Sequence, residues 1–255
     1  MRAKLTVLLA VAATLIAASV ARAITYGEPD GNAHPYVGLV ALYDDGVYKG
    51  RCSGTLISST VVLTAAHCIA ETNADSARVY FEPSVPRTQF APETGAPTGG
   101  ITGAPHQHED FDGFATFPNT SDIGVVVLDA EVTDKGYGVL AARGFLDDKN
   151  GTVLTAVGYG AESKKQSPPS VAVRMRANPK VIDLNSSNTA GWNVKTSNNA
   201  KTGGTCKGDS GGPLLHGDSV VAVVSFGING NCSGVDYSYR VDTAYAQSWL
   251  EEFLS

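Results

Sequence analysis

The sequence predicts an all-β fold closed by one C-terminal α-helix, and three observations predict it. Short runs rich in Val, Ile, Thr and Tyr recur along most of the chain with turn residues between them. Helical spacing of large apolar residues occurs near the end, where Tyr245, Trp249 and Phe253 fall at every fourth position. No internal repeat is evident, and the pattern reads as a sandwich or barrel.

Residues 1–23 stand apart from the fold. They begin with Arg2 and Lys4, continue apolar from Leu5 to Val20 and end on small residues at Ala21 and Ala23. That order is the mark of a secretory signal peptide. A membrane anchor needs about 20 apolar residues with suitable flanks, whereas Ala21 and Ala23 supply the small side chains a signal peptidase reads. The sequence therefore predicts a secreted domain over 24–255 with no membrane attachment after removal. The chain has 19 Lys and Arg against 25 Asp and Glu, a net charge of −6, and export removes Arg2, Lys4 and Arg22. So acidic a protein argues against nucleic acid as a partner.

Within the domain, strands are predicted over 37–42, 53–57, 61–64, 78–81, 123–128, 152–159, 171–177 and 219–226. The stretch 83–119 is rich in Gly, Pro, Thr and charge and reads as mostly extended loop. Residues 166–170, with Pro168-Pro169 after Lys164-Lys165, read as a second exposed connection. The helix is predicted over 243–253, with Asp242 or Thr243 available as its cap.

Cys52, Cys68, Cys206 and Cys232 suggest two disulfides in an exported chain, and three pairings are open. No Cys-x-x-Cys pair is present, which argues against a zinc knuckle or redox site. No cofactor or metal is expected. His106 and His108 lie with Glu109, Asp110 and Asp112, but His-x-His on a polar stretch is a weak metal signal, and a surface loop is the better reading.

The most informative stretch is Gly208-Asp209-Ser210-Gly211-Gly212. A serine hydroxyl is a weak nucleophile that needs an exposed, tightly turned backbone with amide donors nearby, and glycines on both sides permit that. The same letters fit the nucleophile elbow of α/β-hydrolases. An elbow serine is followed by its acid and then its histidine, yet only 45 residues remain here, with His216 alone among them. Upstream lie His67, in Ala65-Ala66-His67-Cys68, and Asp122, before Ile123-Gly124-Val125. The chain order is His, Asp, Ser.

Together with Gly208 to Pro213, the Ala65-Ala66-His67-Cys68 segment resembles the paired signature of trypsin-like serine peptidases over nearly all of the domain. The resemblance implies two six-stranded antiparallel β-barrels with the site in the cleft between them and a C-terminal helix. It implies Ser210 as nucleophile, His67 as general base, Asp122 as the group that fixes the histidine tautomer, and the Gly208 and Ser210 amides as oxyanion hole, each donor worth about 3 kcal/mol. It pairs Cys52 with Cys68 and Cys206 with Cys232, each bridge stabilising by roughly 2 to 4 kcal/mol. It makes polypeptides the substrates, admits protein protease inhibitors as partners, and fits a monomer. The alternative is a non-catalytic homologue serving as a binding module.

The same resemblance places a free N-terminal ammonium on Asp209. Ile24-Thr25-Tyr26-Gly27 resembles the family's Ile-Val-Gly-Gly start, with Thr25 and Tyr26 departing from it. Cleavage after Ala23 would itself create that terminus. The position six before the serine, the floor of the family's P1 pocket, is Gly204, followed by Thr205, so the pocket reads as uncharged. Ser225-Phe226-Gly227 resembles the segment that pairs with substrate backbone, and Gly227 leaves the mouth open. These residues predict an apolar P1 preference. Asp236 falls on the pocket wall in one register, where it would accept a basic P1; the bland reading, a solvated loop carboxylate, is favoured. Lys207 is expected at the rim as a solvated surface lysine. Asn119-Thr120-Ser121, Asn185-Ser186-Ser187 and Asn231-Cys232-Ser233 are glycosylation sequons.

Overall fold

A computed structural model describes residues 24–160 and 172–254. The segments predicted as signal peptide and as the 166–170 connection lie outside the described residues. Six strands form the first barrel: β1 (Val37–Asp44), β2 (Val47–Leu56), β3 (Val61–Thr64), β4 (Ser76–Tyr80), β5 (Ile101–Gln107) and β6 (Gly124–Leu128). They close in the order β1-β2-β3-β6-β5-β4, all antiparallel. Closure removes every sheet edge, so no backbone row is left to pair with another chain.

The second half contains β7 (Thr155–Gly158), β8 (Met175–Ala177), β9 (Val181–Asp183), β10 (Asn193–Asn198), β11 (Pro213–His216), β12 (Ser219–Gly227) and β13 (Gly234–Arg240). With the short ribbons Glu28–Pro29 and Val139–Leu140 they make a nine-stranded sheet whose central run is β8-β7-β11-β12-β13-β10-β9. The sheet curls back on itself. Leu154 N–H donates to Pro179 C=O at 2.9 Å and Val181 N–H to Thr152 C=O at 2.8 Å, which brings β9 against the approach to β7.

Most predicted strands appear with shifted ends, and 61–64 is Val61–Thr64 itself. The stretch 83–119 needs correction, because it contains β5, hydrogen-bonded to both β4 and β6. Its residues, Ile-Thr-Gly-Ala-Pro-His-Gln, are mostly exposed or half-exposed, so no apolar alternation marks it. Gly103 is where the neighbour comes closest: a Cβ there would lie 2.6 Å from Val127 C=O. Strands β9, β10, β11 and β13 lay in segments with no strand predicted.

One apolar cluster fills the first barrel and runs on through Val157, Tyr159, Val223 and Tyr239 into the seam between the halves. A second, containing Ile24, Leu146, Leu154 and Val224, fills the other half. Helix α2 (Ala244–Leu254) buries Ala246, Trp249 and Leu250 on the first cluster. Thr243 Oγ1 caps it, accepting the Ala246 N–H at 3.1 Å. Asp242 is drawn away by Arg240 and the Leu146 N–H.

Candidate active site

The first half of the site follows from one strand pair. β3 and β6 run antiparallel with Thr64 opposite Gly124, so the residues after β3 and those before β6 emerge side by side. His67 lies in the short helix α1 (Ala66–Ala70) after β3, and Asp122 two residues before β6. Asp122 is fully buried. Its Oδ1 accepts the His67 backbone N–H at 2.8 Å, its Oδ2 stands 2.8 Å from His67 Nδ1, and Ser225 Oγ donates to Oδ2 as well. A carboxylate so placed makes Nδ1 the protonated ring nitrogen and leaves Nε2 free to accept a proton. Burial pushes the imidazole pKa down, but the charge and hydrogen bond of Asp122 more than offset it and leave it raised. Cys52 and Cys68 form a disulfide that ties β2 to α1.

The second half is a turn ending at β11. Ser210 C=O accepts the Ser53 N–H at 2.8 Å, and Gly211 N–H donates to Val224 C=O at 2.8 Å, so the turn is held by both halves of the molecule. Gly208 and Gly211 have φ of 94° and 81°, backbone that a side chain would strain. A Cβ on Gly211 would lie 2.1 Å from Thr64 Oγ1, which sets the turn directly against the strand leading to His67. Among the described residues, no protein acceptor engages the N–H of Gly208 or Ser210. Nor do Ser210 Oγ and His67 Nε2 share a hydrogen bond. Unliganded sites of this kind commonly hold that contact long until substrate enters.

Asp209 points inward and is fully buried. Its carboxylate accepts N–H from Gly160 at 2.8 Å and Cys206 at 2.9 Å, and no cation lies within ion-pair distance among the described residues. Burial pushes its pKa up to about 7, with the charge of Asp236 adding to the rise, while the two backbone donors and Arg51 oppose it. Ile24 is fully buried in the core of the second half. Thr25 bridges to Gly204, with N–H to C=O distances of 3.0 and 3.1 Å in the two directions.

Beside Ser210 opens a cavity of about 200 Å³, lined by Thr205, Val224 to Gly227, Asp236 and the Cys206–Cys232 disulfide, with Lys207 exposed at the rim. Gly204 is set behind the wall, where a Cβ would lie 2.1 Å from Asn198 Cγ. Asp236 is the carboxylate of the wall and is only 3% exposed, in place of the solvated loop position favoured from sequence. Its Oδ2 accepts from the Thr205 N–H at 2.8 Å, Thr205 Oγ1 at 2.9 Å and Asn198 Nδ2 at 2.8 Å. Among the described residues Oδ1 has only Asn198, at 3.1 Å, and faces Gly227. Burial raises the Asp236 pKa against these donors.

Sequence reading singled out Phe226 but missed the aromatic residues around it, Phe114 and Tyr237. Phe226 stacks on Tyr237 with centroids 5.0 Å apart and meets Phe114 edge-on at 5.3 Å; Phe114 in turn lies 6.0 Å from the His67 ring. The signal was there in Phe111, Phe114 and Phe117, aromatic at every third position of a polar stretch. His108 is no surface residue: it is buried between Tyr245 and Trp249, stacked at 4.9 and 5.1 Å, and fastens α2 to the first barrel. Among the described residues the one group of metal-capable donors is Cys52, Cys68 and His67, whose sulfurs are committed to their disulfide.

A closed antiparallel barrel joined to a curled sheet, with a C-terminal helix packed on the first barrel, defines a chymotrypsin-type architecture. The trypsin family model matches residues 26–250, and the chain belongs to the trypsin family of serine proteases. It is 29% identical to brachyurin of Leptuca pugilator, covering 83% of this chain and 90% of that protein. To trypsin epsilon of Drosophila erecta it is 27% identical, covering 88% and 84%. Among solved structures, HL collagenase superposes with a TM-score of 0.69 at 21% identity, covering 91% of this chain and 98% of that one; this likeness speaks to the fold.

Proposed function

We propose that the protein is a secreted serine endopeptidase in which Ser210 attacks the scissile carbonyl, His67 Nε2 takes the serine proton, and Asp122 holds the ring and stabilises the imidazolium. The observation that carries this reading is the two-point grip of buried Asp122 on His67 beside a turn whose Gly208 and Ser210 N–H groups have no protein acceptor among the described residues. Those amides stabilise the oxyanion as the carbonyl becomes tetrahedral. His67 then returns the proton to the leaving amine, the acyl-enzyme ester forms on Ser210 Oγ, and water attacks the ester by the same proton transfers in reverse.

The pocket takes an uncharged or apolar P1 side chain against Val224, Phe226 and the disulfide, while Asp236 Oδ1 is available to a basic one. Cleavage after Ala23 frees the Ile24 ammonium for Asp209, the buried carboxylate with no cation at ion-pair distance among the described residues. Substrates are polypeptides, protein inhibitors of serine peptidases are the expected antagonists, and the enzyme acts as a monomer outside the cell. A panel of peptides differing only at P1 (Phe, Leu, Ala, Arg), with Ser210→Ala as control, tests the reading. Cleavage by the wild type alone supports it; no cleavage above the control, from protein starting at Ile24, would favour a binding module.

A further inference from the structure

We infer that Arg174 is a positioning residue for the oxyanion turn: it links the docked segment after Ile24, through Asp30 and Gly31, to Tyr159, whose backbone and successor hold that turn. The inference rests on the endopeptidase reading above. Arg174 is the bulkiest fully buried side chain among the described residues. Its Nε donates to Asp30 Oδ2 at 3.0 Å and its Nη2 to Gly31 C=O at 2.9 Å. Its Nη1 faces Val37 C=O at 3.0 Å, Phe81 C=O at 3.1 Å and Tyr159 Oη at 3.2 Å. One guanidinium thus joins the N-terminal segment, the first barrel and the second half.

Among the described residues its one carboxylate partner is Asp30, itself 5% exposed and shared with the His34 N–H at 3.0 Å. If residues 24–31 are not docked, Arg174 becomes a buried cation without a counter-charge, a costly state. Docking of the N-terminal segment and burial of Arg174 are therefore one event. At its other end Tyr159 Oη donates to Glu82 C=O at 2.6 Å, fixing the ring. Tyr159 N–H donates to Ser53 Oγ at 2.9 Å, and Ser53 Oγ donates to Gly208 C=O at 2.9 Å. The next peptide, Gly160 N–H, donates to Asp209 Oδ1, and a Cβ on Gly160 would lie 2.6 Å from the Asp209 carboxyl carbon. With so little slack, a shift of Tyr159 moves the residues on both sides of Asp209, Gly208 and Ser210, whose N–H groups are the donors of the proposed oxyanion hole.

Such a residue acts on kcat more than on KM, because the oxyanion exists only past the ground state. Tyr159→Phe deletes the hydroxyl that meets Arg174, and Arg174→Lys keeps the charge beside Asp30 while giving up the fork that reaches Tyr159. Mature wild type and both variants are titrated with a serine-directed phosphonate, so that rates are counted per competent site. Each variant is expected to lose about tenfold in kcat, a fraction of what losing one oxyanion donor costs, with KM unchanged. The double variant should be no slower than either single one. A variant less heat-stable but unchanged in kcat per titrated site would make Arg174 a purely structural staple and overturn the inference. Wild type that takes no phosphonate would instead overturn the endopeptidase reading.

Discussion

Asp122 holds His67 at two points, through the backbone N–H and through Nδ1, each at 2.8 Å, and so fixes both the place and the tautomer of one ring. Burial alone would lower the imidazole pKa; Asp122 reverses the sign. A base must be unprotonated to act, so kcat/KM is expected to fall in acid with a midpoint above the ordinary histidine value of 6.5. Asp122→Asn should move that midpoint down and lower kcat by about 10⁴-fold, a magnitude taken from this family's own triad. A pH profile of both proteins checks it.

Asp209 titrates in the opposite sense to an ordinary paired carboxylate. Its folded pKa of about 7 lies above the usual 3.8, so the folded state holds a proton the unfolded state has released. That contribution is fully present below 3.8 and is lost as pH rises to about 7. A form with residues still ahead of Ile24 is therefore expected to lose thermal stability over this interval. Asp209→Asn should flatten the loss, and a free Ile24 ammonium should remove it by favouring the charged carboxylate. Melting curves at pH 4 to 8 on the three proteins decide the point.

In the pocket, Asp236 Oδ1 is the group that a basic P1 side chain would meet. Because burial raises the Asp236 pKa, cleavage after Arg should gain on cleavage after Leu as pH climbs through that raised value. Asp236→Asn should cost Arg substrates at least about tenfold in kcat/KM, the scale of a lost charge-assisted hydrogen bond, and leave Leu substrates nearly unchanged. The ratio of the two rates across pH is the measurement.

The Cys206–Cys232 bridge closes a separation of 26 residues and forms part of the pocket wall. Replacing both cysteines with Ser is expected to cost about 3 kcal/mol of stability. KM should rise more than kcat falls, since the wall touches the P1 side chain and not the reacting carbonyl. Denaturant unfolding beside steady-state kinetics separates the two effects.

The pairing of His67 with Asp122 was legible, and Ser210 could be proposed beside it, because the chemistry demands rare surroundings: glycines about the serine, and an acid and a base upstream in a fixed order. The strands at the barrel core were legible for a similar reason, since β3 and β6 are runs of Val and Leu. What escaped depends on pairing. β5 is a barrel strand of mostly exposed or half-exposed residues with no apolar alternation, held by hydrogen bonds to both neighbours, and such bonds leave no pattern in side chains. The burial of Asp236 follows from the register of β10 and β13, which sets Thr196 opposite Asp236. Ser53 is a single polar residue within β2 and Arg174 one just ahead of β8, and their partners lie 155 and 144 positions away along the chain.

The most direct test of the account is covalent. Mature protein is exposed to a fluorophosphonate, and the modified residue is located by mass spectrometry. The account predicts one adduct, on Ser210, forming faster as pH rises through the His67 pKa and absent in Ser210→Ala. An adduct elsewhere, or none on folded protein that begins at Ile24, would contradict it.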